Sequence, residues 1–386
     1  MEGPSRQPLV RLRKTQCRLD VACRHYSDSL SRNREVSLFR TTILEFGGPV
    51  AIVGLMPATN GAPIPLRQFG RHNVKISAVG FGGHHLGDAP DHSTAVRLVR
   101  QAVDGGITFF DNCWEYHRGK TEVWMGDGLK GLRDRVFLMT KVCTHGRDKA
   151  LALRMLEESL HRYRTDHLDL WQVHGVCFEN DPELFIRKNG AGEALEQAKK
   201  EGKVRFVGFT GHKDPSIHLK MLATGFPFDS VQMPLNAFDA NFHSFEQQVL
   251  PELNRRGIAA LGMKPICGHG TPVQKGVLTG EEALRYAMSL PVTTTITGID
   301  KPEALQQALK VAQGFEPLQP SAMQALRDRC RQYAADGRFE LYKLSLQFDN
   351  PEARLAHGFP LDTRQVEVRE MIRMADNSGH PFPPTK

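Results

Sequence analysis

The chain has 386 residues, 40% hydrophobic and 24% charged, with a formal net charge of +7. That length holds one large domain with appendages, and no apolar stretch approaches the ~18–20 residues of a membrane-spanning helix. Nine Arg/Lys against five Asp/Glu fall before Met56, leaving about +3 for the rest, and no arginine-rich stripe with interleaved aromatics argues for nucleic acid.

Seven cysteines (Cys17, Cys23, Cys113, Cys143, Cys177, Cys267, Cys330) are scattered, odd in number and never spaced C-x-x-C. This is the usage of a reducing compartment, here taken as the cytoplasm, and not of a disulfide framework or zinc site. Residues 1–64 are expected to form an extension and linker without sustained periodicity. The basic character suggests a transit peptide, but Glu2, Asp20, Asp28 and Glu35 oppose it, since such peptides avoid acids. A disordered extension, or a mis-called start with Met56 as initiator, is preferred.

From Pro65 the pattern changes. Gly70–Val74 reads as the turn of a hairpin closing the bottom of a barrel, and Ile76–Gly82 as the first barrel strand. Ser93–Val103 carries a helical apolar stripe, opened by Asp91 or Ser93 and stopped at Gly105-Gly106. Strand and helix then alternate: strand Ile107–Phe110 with helix Thr121–Leu129, Val136–Thr140 with Lys149–Tyr163, Leu168–Val173 with Ala191–Glu201, and Val204–Thr210 with Pro215–Ala223. Strand Ser230–Gln232 follows with helix Phe245–Arg255, Ile258–Met263 with Gly280–Ser289, and Val292–Thr297 with Pro302–Ala312. Eight strand–helix units predict a closed (β/α)8 TIM barrel over residues 65–318. Residues 319–386 form a C-terminal helical and irregular tail, with a helix at Ser321–Ala335, expected to pack on the barrel.

Three strands stop at chemistry-bearing residues: the first at Asp111, the next at Lys141, the third at His174, with Tyr116 on the loop after Asp111. Right-handed crossovers place those ends on one rim. A phenol ionises near pH 10; a lysine ammonium beside it favours phenolate, and an aspartate holds the lysine. A histidine can orient a carbonyl oxygen. Such a set suits proton delivery to an oxygen gaining negative charge, as hydride addition to a carbonyl requires.

At these residues the chain resembles the aldo-keto reductase family, over about Pro65–Ala312. FFDNCWEY is similar to the family's strand-two motif, MTKV to its strand-three motif, and Ser159–His174 (SLHRYRTDHLDLWQVH) to its helix-three to strand-four signature. The resemblance implies Tyr116 as general acid/base, Lys141 as depressor of its pKa, Asp111 as partner of the lysine and His174 as orienter of the carbonyl. It implies NADP(H), with NAD possible, bound without a Rossmann fold, in keeping with the lack of a strand–G-x-G-x-x-G–helix unit.

For the cofactor it implies Thr210, Gly211 and Gln232 at the nicotinamide amide. Met263 stands where an aromatic is usual, and Lys264, Gly268 and Gly270 belong to the loop passing the pyrophosphate. Gly298 and Asp300 fall on the segment gripping the adenosine end, with Ala304 where an arginine is common. His85 and Trp114 are assigned to the substrate side. The substrate is expected to be a small carbonyl or alcohol, with no nucleic-acid or membrane partner; oligomeric state is left open. Two other readings compete. One is a non-catalytic cofactor-binding redox sensor. The other is a metal-dependent barrel hydrolase using rim histidines, disfavoured because adjacent His84 and His85 should point to opposite faces of an extended chain. No metal site is expected.

Overall fold

The computed structural model describes residues 62–356 and Phe359. Every described residue belongs to one compact unit, Asn60–Lys386. The expectations for residues 1–61 and for the end of the tail lie outside the described residues.

Strands β1 (Leu66–Gln68) and β2 (Lys75–Ser77) pair antiparallel, with Leu66 opposite Ser77. Eight further strands follow: β3 (Val79–Gly82), β4 (Phe109–Asp111), β5 (Phe137–Val142), β6 (Leu168–Val173), β7 (Val204–Thr210), β8 (Ser230–Pro234), β9 (Ala259–Met263) and β10 (Thr294–Gly298). All eight are parallel and close into one barrel, in the order β10-β3-β4-β5-β6-β7-β8-β9. The expected (β/α)8 architecture is therefore the observed one.

The barrel interior is filled by Phe109, Phe137, Met139, Leu170, Phe206, Leu261 and Ile296, all buried, as packed layers of side chains demand. The hairpin plugs the bottom: the Phe69 ring lies 5.0 Å from those of both Phe137 and Phe206. Gly80 on β3 leaves room for the neighbouring strand, since a Cβ there would come within 2.8 Å of the Phe109 ring.

Local chemistry sets the helices. Asp91 caps His92–Asp104 by accepting from Thr94 N, and Asp148 caps Lys149–Tyr163 by accepting from Leu151 N, the usual role of a short polar residue there. A reciprocal Thr279–Glu282 capping box opens Gly280–Ser289. Prolines start Pro215–Ala223 and Pro302–Ala312, where the missing N–H costs nothing.

Three elements differ from expectation. The run Ile76–Gly82 is two strands: the Ser77 hydroxyl donates to Val79 O and accepts from Thr108 N, bending the chain out of the hairpin into the barrel. The helix expected over Phe245–Arg255 is broken into Phe245–Gln248 and Leu250–Arg256, because Pro251 brings no N–H to bond the preceding turn. A helix, Asp181–Ile186, occupies the long loop after β6.

The tail helix Pro320–Ala334 buries Met323, Leu326, Cys330 and Ala334, one face of a 3.6-residue period. Beyond it, Lys343 is fully buried between Asp239 (2.6 Å) and Glu340 (2.9 Å). Asp349 receives His212 and Lys213 at 3.0 and 2.7 Å. Arg354 joins Arg147 on buried Asp181. These contacts lay the described tail over loops at the C-terminal ends of the strands. Among the described residues, no helix is long and apolar enough to cross a membrane.

Candidate active site

Parallel pairing sets Gly82 against Asp111 and Lys141 against Gln172, so the ends of β3–β6 share one rim. Lys141 is 1% exposed and its Nζ donates to Asp111 Oδ1 at 2.5 Å and Asn112 O at 2.7 Å. A buried ammonium needs such partners. His174 directly follows β6, its N–H donating to Val142 O at 2.7 Å.

Tyr116 opens a tight turn in which His117 (φ 49°), Arg118 (φ 59°) and Gly119 (φ 85°) are all left-handed. Non-glycine residues in that region store strain that the surroundings must hold. Here Arg162 does so, donating to Trp114 O and to Glu122, each at 2.8 Å, while Glu122 also accepts from Thr140 and Ser159. The result places Lys141 Nζ 5.1 Å from the centre of the Tyr116 ring. The rings of His84 and His174 stand edge-on to Tyr116, with centroids at 4.9 and 5.7 Å.

These side chains floor a cavity of about 840 Å³. Asp111, Tyr116, His174, His85, Gln232, Met263, Lys264, Gly268, Gly298 and Asp300 line it, with Lys141 beneath; Thr210, Gly211 and Gly270 are not among its lining. Gly211 sits where it does because a Cβ would come within 2.2 Å of Val176 O. Tail residues Tyr342, Phe348 and Asn350 complete one wall.

Three expectations are corrected. Trp114 does not face the cavity: its Nε1–H donates to Glu158 at 2.8 Å and the Arg162 guanidinium lies over its ring, so it packs against the helix Lys149–Tyr163. His84 and His85 do not point apart. They sit in the helical turn Gly83–Leu86, not in a strand, and both line the cavity. The Tyr116 phenol is not lowered. Burial drives it well above its usual value, and the negative groups around it (Cys113, Asp111, Glu115) add to that, while Asp111 already pairs with the Lys141 charge.

Sequence reasoning missed Glu115 and Glu122; the one available signal was an acid immediately before the tyrosine. Glu115 Oε1 is 2.8 Å from His174 Nδ1. Burial alone would lower the His174 imidazole, but Cys113 and Glu115 outweigh it and bring it to about 9. The other shifted cavity imidazoles move oppositely: burial, with nearby positive groups, lowers His84 to about 3 and His212 to about 4. Burial also lowers Lys264 to about 8, and among the described residues no carboxylate lies within ion-pair distance of it.

Residues 78–282 match the family model of the aldo/keto reductases. The chain belongs to that family. Among curated relatives it is 28% identical over 223 residues to the uncharacterized oxidoreductase YqkF of Bacillus subtilis, covering 55% of this chain and 66% of that protein. To the aldo-keto reductase YhdN of the same organism it is 26% identical over 227 residues (55% and 63%), and to L-galactose dehydrogenase of Arabidopsis thaliana 34% over 158 residues (38% and 49%). The matched part thus spans about two thirds or less of these relatives. Among solved structures, the holo form of aldo-keto reductase AKR11C1 from Bacillus halodurans superimposes with a TM-score of 0.58 at 22% identity, covering 69% of this chain and 96% of that one. A Klebsiella pneumoniae aldo/keto reductase in complex with NADP and acetate gives 0.56 at 22%, covering 69% and 95%. These likenesses show the fold.

Proposed function

We propose that this protein is a nicotinamide-dependent oxidoreductase that interconverts a carbonyl and its alcohol, with NADP(H) as cofactor and NAD(H) as the second candidate. The carrying observation is the convergence of Asp111, Lys141, Tyr116 and His174 beneath one cavity. Among the described residues the cysteines are all free, which suits a cytoplasmic enzyme.

The residues present fit such a cofactor. Gln232 Oε1 is buried without a hydrogen-bond partner among the described residues and lines the cavity, which suits an amide N–H. Lys264, with no carboxylate partner among the described residues and lining the same wall, suits a phosphate charge. The loop around it turns through left-handed Lys264, Cys267, Gly268 and Gly270, and at Gly268 no atom lies within 4 Å of where a Cβ would be, which leaves backbone open to a close ligand. Asp300 and Lys301 line the same cavity and would hold the adenosine end. When bound, the dinucleotide supplies a hydride to the carbonyl carbon.

The chain's own residues complete the reaction. As the carbon gains hydride, the C=O π pair moves onto oxygen, and Tyr116 gives its Oη proton there; the carbonyl is reduced to alcohol and the phenolate recovers a proton from solvent. A phenol held above its usual value is neutral before the reaction, so the proton is present on Oη, and its release is left to be favoured by the Lys141 charge. Asp111 pins Lys141 under the ring, where its charge opposes that of the phenolate formed. His174 stands beside the tyrosine as partner for the same oxygen.

The test is fluorescence titration of the protein with NADPH and NADH, followed by a carbonyl panel comparing wild type with Tyr116→Phe. Saturable binding, and a turnover loss of about 10²-fold or more in the variant at equal cofactor occupancy, is expected. Absence of binding to either nucleotide would sink the proposal, and binding without turnover on the panel would favour the redox-sensor reading.

A further inference from the structure

Glu115 has no part in the reaction as set out above, yet both of its oxygens are engaged at the cavity wall. Oε1 lies 2.8 Å from His174 Nδ1, and Oε2 accepts from Asn350 Nδ2 at 2.8 Å. The tail therefore holds the far side of the carboxylate that grips the histidine. A carboxylate is an acceptor only, so Nδ1 must carry the hydrogen. A neutral imidazole has one ring hydrogen. With Nδ1 holding it, Nε2 is left as a bare acceptor, and it can donate to a carbonyl oxygen only when the ring carries both.

We propose that Glu115 is a positioning residue that commits Nδ1 of His174 to donation, so that the site meets a carbonyl oxygen through an imidazolium and an alcohol hydroxyl through the neutral ring. The inference rests on the carbonyl/alcohol reading above and deepens it: the protonation of His174 selects which direction of the reaction the oxygen contact supports. A charge-assisted donor is also the stronger one for an oxygen becoming negative.

The other groups facing this ring are few. Cys113 Sγ lies 3.3 Å from Nδ1 and is the rival acceptor; burial raises its thiol, while Cys143 and His174 pull it down to about 7. Tyr116 meets the ring edge-on, and Lys141 beyond it is paired with Asp111. Arg147 is directed at the His174 carbonyl (2.9 Å), not at the ring. Among the described residues Glu115 is the one carboxylate at Nδ1, and at hydrogen-bond distance.

The experiment compares wild type, Glu115→Gln and Cys113→Ser. In wild type, kcat/KM for carbonyl reduction should fall with pH along a limb near 9. Glu115→Gln should move that limb to acid by roughly 2 pH units, as loss of an adjacent opposite charge does. Reduction at pH 8 should drop about tenfold or more, with far less change at pH 6 and with alcohol oxidation retained. Nitrogen NMR of the His174 ring, assigned with a His174→Gln control, should show the same displacement without any turnover. Superimposable wild-type and Glu115→Gln titrations would overturn the inference, as would an equal loss at every pH, or a limb that moves in Cys113→Ser instead. If wild type reduces no carbonyl, the functional reading fails separately, and the NMR titration still decides the role of Glu115.

Discussion

Lys141 Nζ is fixed between Asp111 Oδ1 at 2.5 Å and Asn112 O at 2.7 Å, at the end of a strand whose six residues are all buried. Removing one partner of such a pair leaves the other charged and unpaired in the interior. Lys141→Met should therefore cost about 3–5 kcal/mol of stability and abolish turnover. Asp111→Asn, which keeps an acceptor for the ammonium, should cost less. Urea unfolding beside single-turnover reduction would check both.

Asp300 lines the cavity with Lys301 and Ala304, and a carboxylate there is unfavourable to a 2′-phosphate but can accept from a ribose hydroxyl. Asp300→Ser should shift the ratio of NADPH to NADH dissociation constants toward NADPH by about tenfold, ~1.4 kcal/mol. An unchanged ratio would remove Asp300 from cofactor choice.

Trp114 illustrates a residue with an aromatic side chain near the site but no place in it. Its indole is anchored by Glu158, which is 41% exposed. Trp114→Phe should cost only about 1 kcal/mol and leave KM for every accepted carbonyl unchanged. A KM change without loss of stability would restore it to the substrate wall.

The tail's anchors predict its contribution. Lys343 is fully buried against Asp239 and Glu340, so Lys343→Met, which strands two carboxylates, should lower stability by about 3–5 kcal/mol. A melting temperature equal to that of wild type would show the tail to be dispensable for the barrel.

Stability should fall at both ends of the pH scale for nameable reasons. Burial would raise the Asp181 carboxyl, but Arg147 and Arg354 outweigh it and hold it below its usual value. Its contribution is full above the ordinary carboxylate range and lost as pH falls through the folded-state value. His174 is raised, so its contribution is full below its ordinary value of 6.5 and lost as pH climbs through about 9. Arg354→Leu should blunt the acid arm of the stability curve and Glu115→Gln the alkaline arm, both measurable by denaturant titration across pH.

What the sequence by itself determined is the set of features carried by short-range signals. Strands β6 and β7 and the helices Lys149–Tyr163, Pro215–Ala223 and Pro302–Ala312 have the boundaries their periodicity and caps announce, because helix entry and strand alternation depend on neighbours a few residues apart. Eight such units in alternation then leave a parallel barrel as their way to bury every strand. The candidate site was legible to the same depth: Asp111, Lys141 and His174 end strands, and strand ends share a rim. What only the tertiary structure decided is direction and company. The left-handed turn at His117–Gly119 aims Tyr116 inward while Trp114 goes out, and a helical turn brings His84 and His85 into one cavity. Glu115 meets Asn350 across 235 residues of chain, and Lys343 meets Asp239 across 104. Those pairings rest on contacts between distant segments, which no local propensity encodes.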